Sequence, residues 1–262
     1  MCSYKCEMTD PLLVVFDLDG TLLNDKHEIS NSNIRTINSL QKKGMLIAIS
    51  TSRSKYTLDK EIGLIRPDIV ISSGGAQVEI NNDIVLYNKI EPVIVRQIIR
   101  FLNNVSEDIE IAIDGTDAFY WNHSTNDIDT RWTKTVCYNP QNYTGDALKI
   151  CVYCNTTELS QQIQNHFPQL NYTLYSGQRW LQITNLGVNK ANALCYVSDK
   201  LRIPLDSVIA FGDDYTDCDT LKIVGIGVAM ENANNTVKSY ANIVIGSNNS
   251  DSITCFFERL IM

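Results

Sequence analysis

Leu12-Leu-Val-Val-Phe16 runs directly into Asp17-Leu-Asp-Gly-Thr21. The apolar run has strand length and no polar alternation, so it reads as a strand buried on both faces, as in the middle of a parallel sheet. Two carboxylates two residues apart follow at its C-terminal end, the edge where open α/β sheets bind ligands. Such charges are costly there unless a cation or a reacting group uses them. Gly20 permits the sharp turn that follows.

Outward from this stretch, Ser30 starts a helical pattern through Ile34, Ile37 and Leu40 that Gly44 closes. Met45–Ile49 and Asp68–Ile71 read as further buried strands, so strand and helix alternate as in a doubly wound sheet. From about residue 84 the rhythm becomes β-α-β-β, then β-α-β-β. Helices are expected from Glu91-Pro92 to Asn104 and from Thr157 to Phe167, with strands at Ile109–Ile113, Ala118–Trp121, Asp146–Cys154 and two more before Thr184. The first rhythm resumes with a helix at Lys190–Lys200, strands at Ser207–Phe211, Gly225–Ala229 and Ile243–Ile245, and a last helix near Met262. The expected fold is α/β: a doubly wound, Rossmann-like parallel-sheet core from 1–83 and 183–262, with an inserted α+β cap over 84–182.

The chain has 262 residues, 44% of them hydrophobic and 20% charged, which is ordinary globular composition rather than a disordered one. With 22 Lys+Arg against 30 Asp+Glu, the net charge of −8 argues against general binding to nucleic acid or anionic membranes. No apolar run approaches the roughly 20 residues of a membrane span. The opening MCSYKCEMTD has no apolar stretch of signal-peptide type, so a cytoplasmic location is expected. Cys151 and Cys154 form a C-x-x-C inside an apolar strand pattern, poor geometry for a metal, and all eight cysteines read as reduced thiols.

Three other segments carry matching chemistry. Thr51 ends the Met45–Ile49 strand, where a hydroxyl can donate to an anion. Lys190 opens a helix. Phe211-Gly-Asp-Asp-Tyr-Thr-Asp217 again puts acidic residues directly after a buried strand. Two acidic strand ends suit Mg²⁺, which takes oxygen ligands and keeps waters and a phosphate oxygen.

Asp17-x-Asp-Gly-Thr21, strand-end Thr51, Lys190 and Gly212-Asp213-x-x-x-Asp217, in this order, resemble the four motifs of the haloacid dehalogenase (HAD) superfamily phosphatases. The placement of the insertion, Gly74-Gly-Ala76 and Gly227-Val-Ala-Met-Glu-Asn-Ala233 are similar to the Cof-like subclass IIB. The resemblance implies that Asp17 attacks phosphorus to form an aspartyl-phosphate. It implies that Asp19 protonates the leaving alcohol and then activates water. Thr51 and Lys190 would hold the phosphoryl oxygens. Mg²⁺ would be bound by the Asp17 carboxylate, the Asp19 carbonyl and Asp213, with Asp217 beside it or hydrogen-bonded to Lys190. Asp214 takes a variable place and is expected to be exposed.

Two departures bear on the substrate. Ser52 stands where Cof-like proteins usually have Gly, leaving Arg53 able to reach the substrate. Thr216 stands where Asn is usual, which resembles trehalose-6-phosphate phosphatases as well. In the cap, Asp114, Asp117, Trp121, His123, Arg131 and Trp132 are candidates to choose the leaving group, with Tyr175, Arg179 and Trp180 behind them. The expected activity is a Mg²⁺-dependent phosphatase of small phosphate monoesters, sugar phosphates foremost. Its partner would be a small phosphorylated metabolite; the sequence leaves the oligomeric state open. A phosphomutase of the same subclass and a non-enzymatic phospho-accepting module are the alternatives.

Overall fold

The computed structural model describes residues 12–58, 62–106, 109–122, 135–137, 142–154, 156–174 and 179–261. His123, Arg131, Trp132 and Tyr175 lie outside them. In chain order the first elements are β1 (Leu13–Phe16), α1 (Asn31–Lys42), β2 (Leu46–Ser50), α2 (Ile62–Ile65), β3 (Ile69–Ser72), β4 (Gln77–Ile80) and β5 (Asp83–Tyr87). Then come α3 (Pro92–Val105), β6 (Ile111–Asp114), β7 (Phe119–Trp121), β8 (Thr135–Cys137), β9 (Lys149–Tyr153), α4 (Thr157–His166), β10 (Leu170–Leu174) and β11 (Trp180–Asn185). The chain ends with α5 (Lys190–Leu201), β12 (Val208–Gly212), α6 (Cys218–Ile223), β13 (Ile226–Met230), α7 (Asn235–Tyr240), β14 (Ile243–Ile245) and α8 (Ser252–Ile261).

The described residues divide into two compact units, one within Met1–Ser50, Glu61–Val70 and Leu194–Met262, the other within Thr51–Lys60 and Ile71–Ala193. In the first unit, β14, β13, β12, β1 and β2 lie side by side in that order, all parallel. β1 sits in the interior of this series, and every one of its residues is buried, as its unbroken apolar run requires. α1 begins at Ser30, whose hydroxyl accepts from the Asn33 amide, and Gly44 beyond its end takes φ +86. Phe16 stacks on Phe211, and Phe256 and Phe257 of α8 pack against Phe211, closing one face of the strands.

The second unit holds a six-stranded sheet in the order β10-β11-β9-β6-β7-β8. Its pairs are antiparallel except β7 with β8. α3 buries Val95, Ile98, Ile99 and Leu102, the spacing of one helical stripe, and α4 buries Leu159 and Ile163. Both stripes join one apolar core with Ile111, Ile113, Ile150, Val152, Leu181 and Ile183 of the sheet.

Three features differ from the sequence reading. β5 pairs with β4 as a hairpin and does not enter the six-stranded sheet. Its two-residue turn, Asn81-Asn82, has φ +52 and +69, which asparagine tolerates. β8 lies in a stretch that offers no strand pattern to the eye. The short helices α6 and α7 follow β12 and β13 in segments too brief for a periodic signal. Cys151, Cys154, Cys195, Cys218 and Cys255 are free thiols.

Candidate active site

Backbone pairing carries β1 one step past its last residue: the Asp17 amide donates to the Phe211 carbonyl at 3.1 Å. The chain then turns. Leu22 N donates to Asp17 O at 3.2 Å, and Leu23 N to Leu18 O at 2.8 Å. Leu18, Leu22 and Leu23 are buried and anchor the turn, while Asp17, 6% exposed, stays at the strand end. Gly20 has φ +77, and a Cβ there would fall 2.3 Å from Asp213 Oδ2. Only glycine fits, because the acidic turn after β12 approaches this backbone closely.

That second turn is organised by Asp217. Its Oδ2 accepts the amides of Asp213 and Asp214 at 3.2 and 3.1 Å. Asp213 Oδ1 accepts from the Thr21 hydroxyl at 2.6 Å. Asn232 donates to the Gly20 carbonyl at 2.8 Å and stands 3.5 Å from Asp213 Oδ2. Its own Oδ1 accepts from the Asn248 amide. The sequence reading cited Asn232 only as part of a motif; its work as a bracket between the two acidic turns becomes visible only with the fold.

Asp17, Asp213 and Asp217 each turn a carboxylate oxygen into one spot, all within 4.8 Å of one another. Like charges so close repel by on the order of 3 kcal/mol per pair at an effective dielectric of about 20. A divalent cation relieves that repulsion, and an all-oxygen donor set of this charge fits Mg²⁺. Asp19 is outside the cluster. Its side chain is 48% exposed, with His27 Nδ1 3.9 Å away, a contact that is ionic only when the imidazole is protonated. Thr216 is half-buried in the turn before Asp217. Asp214 is also half-buried rather than exposed as its variable place suggested, because its amide is drawn in to Asp217.

Within the second unit, Thr51 is 1% exposed and Lys190 3%. Thr51 N donates to Ile71 O at 2.9 Å, and Thr51 O accepts from Gly74 N at 3.1 Å. Thr51 Oγ1 accepts from Arg53 N at 3.1 Å, leaving its O–H proton as a donor. Arg53 O accepts from Ser73 N at 2.7 Å, and Arg53 Nη1 is 3.5 Å from Thr57 O. Ser52 is absent from the residues with positive φ, so serine takes this place without strain. Lys190 opens α5 behind Asn189, whose side chain caps the Asn192 amide at 2.7 Å. A Cβ on Gly75 would lie 2.3 Å from the Asn189 carbonyl, so this backbone is also closely braced.

Of the residues expected to choose the leaving group, Asp114 is fully buried and paired with Lys149. Asp117 is exposed and accepts from the Tyr120 hydroxyl at 2.7 Å. Trp121 Nε1 donates to Glu110 at 3.0 Å, and Trp180 packs edge-on against Tyr153. Arg179 is exposed.

The fold and the acidic cluster define a class, and comparison with known proteins gives the same one. The family model for haloacid dehalogenase-like hydrolases matches residues 14–257. The chain belongs to that family and is a phosphoric monoester hydrolase. Among its relatives, the 5-amino-6-(5-phospho-D-ribitylamino)uracil phosphatase YitU of Bacillus subtilis is 27% identical over 96% of this chain and 98% of its own length. The pyridoxal phosphate phosphatase YbhA of Escherichia coli is 26% identical over 93% of this chain and 96% of its own. A solved HAD subclass IIB sugar phosphatase, BT4131, superposes with a TM-score of 0.82 over 96% of this chain and 99% of its own. At 20% identity that likeness speaks for the fold alone. Among the described residues, no helix is long and apolar enough to cross a membrane.

Proposed function

We propose that this hydrolase is a Mg²⁺-dependent phosphatase of small phosphate monoesters, sugar phosphates foremost, working through an aspartyl-phosphate. The observation that carries the reading is the convergence of Asp17, Asp213 and Asp217 at the ends of two neighbouring parallel strands. The relatives' names support the substrate class: a phosphorylated ribityl compound and pyridoxal phosphate are both small phosphorylated metabolites. The reading places the enzyme in the cytoplasm, where free thiols stay reduced.

In this mechanism an Asp17 carboxylate oxygen attacks phosphorus, and the bond from phosphorus to the alcohol oxygen breaks. Asp19 gives its proton to the departing oxygen, then takes a proton from the water that attacks the phosphorylated Asp17. Inorganic phosphate leaves and the Asp17 carboxylate is restored. Thr51 donates its hydroxyl to a phosphoryl oxygen, and the Lys190 ammonium offsets the charge that builds there. Arg53 and Thr216 contact the substrate beyond the phosphorus. Asp17, Asp213 and the Asp19 carbonyl would hold Mg²⁺, and Asp217 would keep Asp213 oriented through the amides it accepts. When bound, the ion neutralises phosphoryl oxygens and the clustered carboxylates.

The test is Asp17→Asn, assayed with p-nitrophenyl phosphate and a panel of sugar phosphates. Turnover should fall by about 10³-fold or more while the protein stays folded. Near-native phosphate release from folded Asp17→Asn would remove the nucleophile assignment. Conversion of hexose 1-phosphate to hexose 6-phosphate with little free phosphate would replace phosphatase by phosphomutase.

A further inference from the structure

Lys149 is a lone cation in the apolar run Leu148-Lys-Ile-Cys-Val-Tyr-Cys154, and it is 5% exposed. The register of β6 and β9 sets it directly opposite Asp114, which is 0% exposed. Cross-strand partners share a face, so the two side chains meet. Lys149 Nζ stands 3.2 Å from Asp114 Oδ2, and among the described residues neither Asp114 oxygen has a directed hydrogen bond, so the contact is an ion pair. Burying two charges costs several kcal/mol per ion, and an apolar pair would pack a β-sheet core as well or better. Packing therefore gives no reason for an ammonium here.

A reason appears at its other end. Lys149 Nζ also donates to the Ser52 carbonyl. The three carbonyls of Thr51, Ser52 and Arg53 are then all occupied: the outer two by the amides of Gly74 and Ser73, the middle one by this lysine. A second tether lies close by, where the buried Tyr56 donates its hydroxyl to the Thr116 carbonyl at 2.8 Å. The Thr51–Thr57 segment is thus bonded at two points to the strand ends of the six-stranded sheet.

We propose that Lys149, held by Asp114, is a positioning residue: by fixing the Ser52 carbonyl it sets the orientation of the Thr51 hydroxyl. The inference rests on the reading of Thr51 as a phosphoryl donor. It gives the inserted domain a part in the chemical step itself, independent of which leaving group is bound. Without the ammonium, the peptide between Ser52 and Arg53 loses the bond to its carbonyl and can rotate, and its N–H is the one that donates to Thr51 Oγ1. A misplacement of about 1 Å in a group that must meet a phosphoryl oxygen costs up to roughly 100-fold in rate.

Removing Lys149 alone would leave a buried Asp114 carboxylate, so the informative protein is Lys149→Met/Asp114→Leu, which replaces the pair by apolar side chains. It should remain folded, with amides of residues 51–57 exchanging faster and the strands of the parallel sheet unchanged. Its kcat should fall about 10- to 100-fold with KM less affected, by the same factor for p-nitrophenyl phosphate and for the best sugar phosphate. Lys149→Arg, which keeps a cation beside Asp114, should recover part of the loss. In a Thr51→Ala background the double replacement should add little, because both act through one hydroxyl. Unchanged kcat, a loss confined to one sugar phosphate, full additivity with Thr51→Ala, or a loss with no change in amide exchange would each overturn the proposal. Should Thr51→Ala by itself leave kcat intact, the role given to Thr51 fails; should Thr51→Ala be slow and the double variant fast, only the positioning role fails.

Discussion

The Thr21 hydroxyl donates to Asp213 Oδ1 at 2.6 Å, joining the turn after β1 to the turn after β12 across 192 residues of sequence. Thr21 is fully buried, so water does not compete for the bond. The two strands are parallel neighbours, and their ends lie side by side for that reason. The acidic cluster is therefore a product of strand order, with the hydroxyl fixing one of its three carboxylates.

Thr21→Val keeps the shape of the side chain and removes the donor. Hydrogen bonds to charged groups contribute about 1.5–3 kcal/mol, so unfolding in urea should shift by about that much. The Mg²⁺ concentration for half-maximal activity should also rise, since Asp213 is freer to rotate. A valine variant with native stability and native metal dependence would mean that the hydroxyl does nothing for Asp213.

Gly75→Ala and Gly44→Ala form a matched pair. Both positions have positive φ, +102 and +86, but only Gly75 faces backbone, the Asn189 carbonyl at 2.3 Å from the added Cβ. Gly44→Ala should lose about 1–2 kcal/mol of stability from its backbone conformation alone and keep full activity. Gly75→Ala should lose more and also slow turnover, because the displaced backbone immediately precedes Lys190. Equal stability loss with native activity in both would show that Lys190 does not depend on this brace.

Alkaline pH should weaken the fold. Burial, with the Asp117 hydrogen bond second, raises Tyr120 to about 12; burial raises Tyr172 to about 12 and Cys154 to about 11. The unfolded chain releases these protons from the ordinary values near 9 and 10, and the folded chain holds them longer. Between about pH 9 and 12 the unfolded state therefore binds fewer protons, and stability falls as pH rises. Tyr172 donates its hydroxyl to the Phe167 carbonyl at 2.7 Å. Tyr172→Phe should be less stable by about 1 kcal/mol at pH 8 and lose less than the native protein between pH 10 and 12. Parallel stability curves for the two proteins would exclude Tyr172 as a source of the fall.

The core elements were legible because burial on both faces leaves unbroken apolar runs, as in Leu12–Phe16, and because Ser30 and Gly44 mark a helix at both ends. β5 was assigned to the wrong neighbours because a strand's own sequence does not name its partner; only the Asn81-Asn82 turn hints at β4. The acidic turns were legible from carboxylates placed directly after buried strands. Thr21 and Asn232 stand in the motifs quoted from the sequence and Lys149 in a strand pattern, but what each does was not legible there, because each acts through a partner distant in sequence. Lys149 alone left a local trace, a single charge in an otherwise apolar strand, and that trace points to a buried partner without identifying Asp114.

Asp213 and Asp214 are adjacent carboxylates in one turn, and the structure separates them. Asp213 sends an oxygen into the cluster with Asp17 and Asp217, and Asp214 is not among those three. Asp214 takes part in the turn as one half of a capping box with Asp217: alanine keeps its amide, which donates to Asp217 Oδ2, and its carbonyl, which accepts from the Asp217 amide at 2.9 Å, and removes only the side-chain half of the cap. Asp213→Ala removes one of three converging negative charges and leaves the Thr21 hydroxyl without its acceptor. The Mg²⁺ requirement of Asp213→Ala should rise at least about tenfold, in line with what disturbing a metal's surroundings costs, while Asp214→Ala should stay near the native value. A second measurement needs no turnover. A ligand that binds only the folded state stabilises it by RT ln(1 + [L]/Kd), so added Mg²⁺ should raise the Tm of the native protein and of Asp214→Ala. For Asp213→Ala the same addition should raise it far less. If the two variants respond alike in both measurements, or if Asp214→Ala is the one that stops responding, then the cluster is not the cation site and the oxygen that completes it must be sought on Asp214.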